Sequence, residues 1–176
     1  LNNIYANSFT HSEKTSDSIL QLSKLLKYII YDSGKEKVTV SQEFSSLKAL
    51  AALYQLKYNN ELDIVMDIED QEEFDIAEIP SAILLTLFEN ALKHSAIGED
   101  AHGFIKLFCK IERSELYFEI INSVGKDRIH EVESNYHGLG NEAIIHILEK
   151  FYLDQYEFYS GPKENDQYKI ALTITI

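Results

Sequence analysis

Residues 80–95 read PSAILLTLFENALKHS, and the placing of that stretch decides the fold. Leu84, Leu87, Phe88 and Ala91 recur at three- and four-residue spacing, which predicts a helix buried along one side. Pro80 is expected in its first turn, where its missing N–H would have no helical partner in any case. Thr86, Glu89, Asn90 and Lys93 follow at i, i+3, i+4 and i+7 on the other side, with His94 beside them. One reading makes this a solvated face steadied by a Glu89–Lys93 pair worth roughly 0.3 kcal/mol. The other makes it a working face, because a carboxylate, an amide, an ammonium and an imidazole are what a metal–phosphate site needs. On the helix alone both stay open.

Outward from that helix, ELDIVMDIE (61–69) alternates as a half-buried strand, and the acidic stretch between it and Pro80 carries no structural signal. GFIKLFCKIE (103–112), a tight turn near Arg113–Ser114 and ELYFEIIN (115–122) predict an antiparallel hairpin. Residues 123–137 are polar and aperiodic. GLGNEAIIHILEKFY (138–152) begins with two glycines and becomes a helix. QYEFYS (155–160) and QYKIALTITI (167–176) are expected as closing strands around a Gly161–Pro162 turn. This order predicts an α+β architecture, with helices on one face of a mixed, largely antiparallel sheet whose outer face is partly solvated.

The first 59 residues read as helix. Ile19, Leu22, Leu25, Leu26, Ile29 and Ile30 keep helical spacing until YDSGK breaks it at Gly34. Thr39 and Gln42 fit a capping box, and Phe44, Leu47, Leu50, Ala51, Tyr54 and Leu56 continue the period. Two such helices make a hairpin whose apolar stripe wants a partner, either the rest of the chain or a second copy.

Composition narrows the choice of ligand. With a formal net charge of −13 over 176 residues, a nucleic-acid partner is excluded, since phosphate contacts need clustered Lys and Arg. Docking on an anionic membrane surface is disfavoured for the same reason. A phosphorylated ligand would have to be held locally, by a helix terminus, a metal or a few cations. The one cysteine, Cys109, rules out an internal disulfide and reads as a small apolar side chain in a strand. No apolar run approaches the roughly 18 residues of a membrane span. Residue 1 is Leu, so the sequence is expected to be a fragment, with any membrane segment outside it.

Particular residues carry a resemblance to a known family. LFENALKHS (87–95) resembles the N box of GHKL ATP-binding domains, in the E-N-A-I/V-K-H form of sensor histidine kinases of the LytS/YehU type. EIPSAILLTLFENALKH (78–94) is similar to that family's IPPLLLQPLVENAIKH, and residues 38–58 to the second helix of its hairpin. Residues 1–33 resemble the segment following its phosphoacceptor motif, and GLGNEAIIHILEKFY falls where the family has GIGLKNVRERLELLY. The resemblance implies ATP and Mg²⁺ as cofactors. It implies that Asn90 coordinates the Mg²⁺ bridging the phosphates, and that Glu89 acts as general base or orients the attacking imidazole. Lys93 and His94 would line the phosphate region. Asn122 in NSVGK (122–126) stands where the family has its adenine-binding Asp, and only Gly125 remains of that glycine box. An ordinary strand-end Asn before a turn is the competing reading. Gly138 and Gly140 match the second glycine box, while the family's Leu, Asn and second Arg fall on Asn141, Ala143 and Ile147.

The implied architecture is a helical dimerisation and phosphotransfer hairpin over residues 1–59, then a GHKL/Bergerat-type α/β sandwich over 60–176. The family's phosphoacceptor His would lie upstream of Leu1, and His11 does not occupy its position. The implied function is the cytoplasmic, ATP-binding core of a homodimeric two-component sensor histidine kinase. It would autophosphorylate that His, pass phosphate to a response regulator, and reach the inner membrane only through segments outside this chain. The departures at Asn122, Ala143 and Ile147 motivate the alternative, a degenerate GHKL domain serving as a non-catalytic signalling scaffold.

Overall fold

The computed structural model describes residues 13–58, 61–69, 72–125, 139–153 and 155–176. Helix α1 (Glu13–Lys27) runs into a π-helical turn, Tyr28–Asp32, closed by the Ser33 N–H on the Tyr28 carbonyl at 2.9 Å. After β1 (Lys37–Thr39), helix α2 (Val40–Lys57) starts with the expected capping box. Thr39 Oγ1 accepts the Gln42 N–H at 3.2 Å, and the Thr39 N–H donates to Gln42 Oε1 at 2.9 Å. Strand β2 (Asp63–Ile68) follows, then a short helix α3 (Glu73–Ile76) and strand β3 (Glu78–Pro80).

Two sequence expectations are corrected here. The acidic stretch before Pro80 is structured, because Phe74 of α3 is buried and stacks on Phe44 with ring centroids 5.5 Å apart. Pro80 does not open the helix. It ends β3, paired with Lys37 across an antiparallel ribbon, and helix α4 (Ile83–His94) begins three residues later, after Ala82 in a left-handed conformation (φ 62°). A proline without an N–H is tolerated at such a strand end.

The main sheet contains β2, β4 (Phe104–Glu112), β5 (Glu115–Ser123), β6 (Tyr156–Lys163) and β7 (Gln167–Thr175) in the order β2-β4-β5-β7-β6. Only β2 and β4 pair in parallel; the other neighbours are antiparallel. The β4–β5 turn falls on Arg113 and Ser114 as expected, both at positive φ (55° and 64°), the twist that a two-residue hairpin requires. The Gly161–Pro162 turn is corrected. Both residues lie within β6, where Pro162 pairs with Tyr168, and the turn is displaced to residues 164–166. β6 is an edge strand, which accepts a proline, and Asn165 and Asp166 supply the left-handed residues at φ 62° and 54°.

Alternation decides which face is covered. Ile105, Leu107, Cys109 and Ile111 of β4 are buried, as are Leu116, Phe118 and Ile120 of β5 and Ile170, Leu172 and Ile174 of β7. Against them pack Leu84, Leu87, Phe88 and Ala91 of α4, and Ile144, Leu148 and Tyr152 of α5 (Leu139–Tyr152). Val40, Phe44, Leu47 and Ala51 of α2 join the same cluster, so the core runs across the expected border at residues 59 and 60. Helix α1 and the π-helical turn differ: Ile19, Leu20 and Leu26 of the helix and Ile29 and Ile30 of the turn stay exposed, while Ser18 and Tyr28 are buried. Among the described residues no helix is long and apolar enough to cross a membrane.

Because α2 and the sheet share one core, they should unfold together. Phe44→Ala removes the ring stacked on Phe74 and tilted against Phe118, at a cost of about 3–5 kcal/mol. Urea unfolding followed by far-ultraviolet circular dichroism and by tyrosine fluorescence should give one coincident transition, moved to lower urea in the variant. Two separated transitions would show α2 folding apart from the sheet.

Candidate functional site

Helix α4 presents the two faces expected of it. Leu84, Leu87, Phe88 and Ala91 are sealed in the core, Glu89 and Asn90 are partly covered, and Lys93 and His94 are exposed. Lys93 Nζ lies 2.7 Å from Glu89 Oε1, the expected i,i+4 pair, with the two side chains 54% and 47% exposed. An ion pair so open to water is weak and opens at small cost, so it leaves the Glu89 carboxylate available to other partners.

The C-terminal end of α4 is tied to the sheet. The Ser95 N–H donates to the Ala91 carbonyl and the Ala96 N–H to the Ser123 carbonyl, at 2.9 and 3.0 Å. Ser123 Oγ accepts the Phe104 N–H at 2.9 Å, holding the start of β4 to the end of β5. Two glycines that the sequence reading passed over make this approach possible. A Cβ on Gly103 would stand 2.4 Å from the Ala96 carbonyl oxygen, and Gly98 (φ 76°) has the Tyr58 ring 2.6 Å from where its Cβ would be. Both lie in the connection between α4 and β4, and neither interrupts a periodic run.

Next to that junction sits Asn122. Its side chain lies on the covered face of the sheet, continuing the row Leu116, Phe118, Ile120, and is 1% exposed. Its Nδ2 donates to the Ser123 carbonyl at 3.0 Å, while its Oδ1 is buried with no hydrogen-bond partner among the described residues. A buried acceptor left unpaired costs about 1–3 kcal/mol, so its retention asks for a donor from elsewhere. From β7, Tyr168 stands opposite Asn122, and its hydroxyl is 2.9 Å from Ser160 Oγ of β6. Ser160 Oγ in turn donates to Asn141 Oδ1 at 3.3 Å, at the start of α5. This end of the covered face is therefore polar, from the end of α4 across three strands to the start of α5.

The other sequence candidates fare unevenly. A Cβ on Gly125 would meet open space, so crowding gives no reason for a glycine there. Gly140 lies in the first turn of α5, and Gly138 falls outside the described residues. Ala143 is exposed and Ile147 packs against the core, so neither replaces the cation absent from that helix. Cys109 is sealed in β4 as expected, and burial pushes its thiol well above the ordinary cysteine value, which makes it inert. Among the described residues no group of three or more His, Cys, Asp or Glu could hold a metal. A cation at α4 would depend on a side-chain oxygen together with a ligand's own oxygens, the usual situation of Mg²⁺ beside phosphates. The residue types thus fit a hydrogen-bond donor at Asn122 Oδ1 and a hard cation with phosphate oxygens beside Glu89 and Asn90, the arrangement that the resemblance implies.

Sequence reading missed Glu43. It sits at core spacing among Val40, Phe44 and Leu47, is 0% exposed, and reaches the first turn of α4. A carboxylate on an apolar stripe was the available signal.

Residues 1–62 match the histidine kinase family. The sensor protein LytS of Enterococcus faecalis is 24% identical over 123 residues, 70% of this chain and 20% of that protein. The sensor histidine kinase/phosphatase LytS of Staphylococcus aureus is 26% identical over 135 residues, 74% of this chain and 23% of the relative. The chain therefore spans between a fifth and a quarter of the length of these relatives. In fold it is similar to the catalytic domain of the histidine kinase ThkA, with a TM-score of 0.54 and 14% identity over 79% of this chain and 94% of that one. The structure of ThkA in complex with the response regulator TrrA matches 92% of this chain and 49% of that one, with a TM-score of 0.52 and 14% identity. The resemblance carried by the N box is thereby borne out: this chain is similar to the LytS sensor histidine kinases in sequence and to histidine-kinase catalytic domains in fold.

Proposed function

We propose that this chain is the ATP–Mg²⁺-binding kinase core of a two-component sensor histidine kinase. The observation that carries the reading is Asn122, a fully buried amide whose acceptor oxygen has no partner among the described residues. It stands at the end of the sheet to which the Asn90 helix is tied. Asn122 Oδ1 would accept a hydrogen bond from the exocyclic amine of adenine, and Asn90 would supply an amide oxygen to Mg²⁺. When bound, Mg²⁺ neutralises charge on the phosphates and keeps the transferred group in line with its acceptor. Glu89, released from Lys93, would orient the attacking imidazole or take its proton. Lys93 and His94 would line the phosphate side, and Gly125, Gly138 and Gly140 would border the nucleotide, as the resemblance implies.

The remaining assignments follow the same reading. Residues 1–59 act as the dimerising and phosphotransfer hairpin and 60–176 as the nucleotide-binding part, a division of labour drawn across a continuous core. The exposed apolar side of α1 supports a second copy as its partner. The response-regulator complex of the similar ThkA supports a receiver domain as phosphate acceptor. The parent protein is a membrane-bound sensor with this part in the cytoplasm. A specific observation keeps the scaffold alternative alive: with Ile147 packed on the core and Ala143 in place of a polar residue, α5 offers the phosphates no side-chain cation.

Calorimetric titration of the chain with ATP tests the proposal. Saturable binding that strengthens with Mg²⁺ is expected, and Asn90→Ala should weaken the Mg²⁺-dependent affinity by at least about tenfold, or about 1.4 kcal/mol. Absence of binding at millimolar ATP would sink the reading, and wild-type affinity in Asn90→Ala would remove Asn90 from it. Asn122→Leu should act with opposite signs on two readouts. Removing an unpaired buried acceptor leaves thermal stability unchanged or raises it within about 1 kcal/mol, while ATP affinity falls. A variant that is destabilised yet binds ATP normally would make Asn122 a structural residue only.

A further inference from the structure

Helix α4 has no cap of its own. Ala82 precedes it in a left-handed conformation, and no side chain at that position meets the opening N–H groups. Those groups are part-buried, so leaving them unpaired would be costly. Glu43 of α2 meets them. Its Oε1 accepts the Ala82 N–H at 2.6 Å, and its Oε2 accepts the Leu85 N–H at 3.0 Å. The Tyr28 hydroxyl, from the π-helical turn that follows α1, donates to Glu43 Oε1 and stands 2.8 Å from the Ala82 nitrogen. Beside this cluster the Ser81 hydroxyl donates to the carbonyls of Ser33 and Lys35, at 3.1 and 2.5 Å. The start of α4 is thus held wholly by the helical hairpin and the turn between its helices.

From this geometry we infer that Glu43, steadied by Tyr28, is a positioning residue for the phosphate side of the site, setting the placement of α4 and with it that of Glu89 and Asn90. The inference rests on the nucleotide reading of α4. Asn90 lies seven residues beyond Ile83, about 10 Å along a helix rising 1.5 Å per residue, so it moves with the first turn as one rod. Mg²⁺ accepts only near-ideal octahedral geometry, so its protein ligand must be placed closely. A carboxylate is the fitting cap, since two oxygens accept N–H groups at the positive end of a helix dipole. Burial raises the Glu43 carboxyl above its ordinary value, opposed by the Tyr28 hydroxyl and the N–H groups of Leu85, Ala82 and Leu84. The device also links regions: a shift of α1 against α2 displaces Tyr28 from Glu43 and is felt at the first turn of α4. The adenine side rests instead on Asn122, which strand pairing holds between β4 and β7.

The test is to compare wild type, Glu43→Gln and Tyr28→Phe by amide hydrogen exchange across residues 82–90 and by ATP titration with Mg²⁺ and with EDTA. Tyr28→Phe removes one hydroxyl and keeps the core filled, so it serves if Glu43→Gln does not fold. The expected result is faster exchange in the first turns of α4 and a loss of Mg²⁺-dependent affinity of about tenfold in Glu43→Gln, less in Tyr28→Phe. Affinity in EDTA should stay within about twofold, because Asn122 is untouched. Wild-type Mg²⁺-dependent affinity in folded variants overturns the inference, as does an equal loss with and without Mg²⁺, which marks a merely structural role. Should wild type itself show no Mg²⁺-dependent binding, the nucleotide reading fails by its own test and the phosphate-side role falls with it; exchange then decides only whether Glu43 places α4, unaltered protection of residues 82–90 overturning that and faster exchange upholding it.

Discussion

A helix buried against a sheet must dispose of its first N–H groups, and in this chain that requirement falls on Glu43. Much of the architecture can be read as its consequence. For the carboxylate to reach Ala82 and Leu85, α2 has to lie across the start of α4, which places Val40, Phe44 and Leu47 in the sheet's core. The β1–β3 ribbon, pairing Lys37 with Pro80 and Thr39 with Glu78, fixes the same approach from the chain on either side. A buried carboxylate is costly unless its hydrogen bonds are complete, and the Tyr28 hydroxyl with the backbone N–H groups completes them. A single charge in the core therefore specifies how the N-terminal helices sit on the rest.

The two ends of α4 are held by different means. At its start the bonds come from side chains of the hairpin. At its end they come from backbone, through Ala96 on Ser123, with Gly103 allowing the strands to close in. Backbone ties of this kind are insensitive to side-chain substitution, whereas the cap depends on two side chains. The adenine side of the proposed pocket is built on the tolerant end, and the face that would meet phosphates hangs from the sensitive one. On the proposed reading such a division would let affinity for the base persist while the geometry at the phosphates is adjusted.

What was legible in the sequence was local. Thr39 and Gln42 cap each other within one turn, Arg113 and Ser114 mark a hairpin between alternating strands, and the two faces of α4 follow from a 3.6-residue period. Each of these is decided by neighbours a few residues away. What stayed hidden depends on partners far along the chain. Pro80 belongs to a strand because Lys37 lies beside it, and Gly161–Pro162 is extended because Tyr168 pairs with it at an edge. Phe74 structures an acidic stretch only because Phe44 is there to stack on. Of the candidate site, the residue types were legible on α4, but that the Asn122 oxygen has no partner among the described residues was not, since it follows from which face of β5 is covered.

Glu43 shows why the sharper functional features resist reading from sequence. Its spacing is that of a core residue and its chemistry that of a surface one, a conflict which local rules resolve in favour of exposure. The fold resolves it the other way because the N–H groups of α4 supply what the carboxylate loses in water. The same logic applies to Asn122, an amide at a core position whose nitrogen is satisfied locally and whose oxygen is not satisfied among the described residues. In Glu43 the conflict is settled inside the chain, which makes it a structural joint. In Asn122 one bond remains to be made among the described residues, and on the proposed reading that difference would separate a residue that positions a site from one that belongs to it.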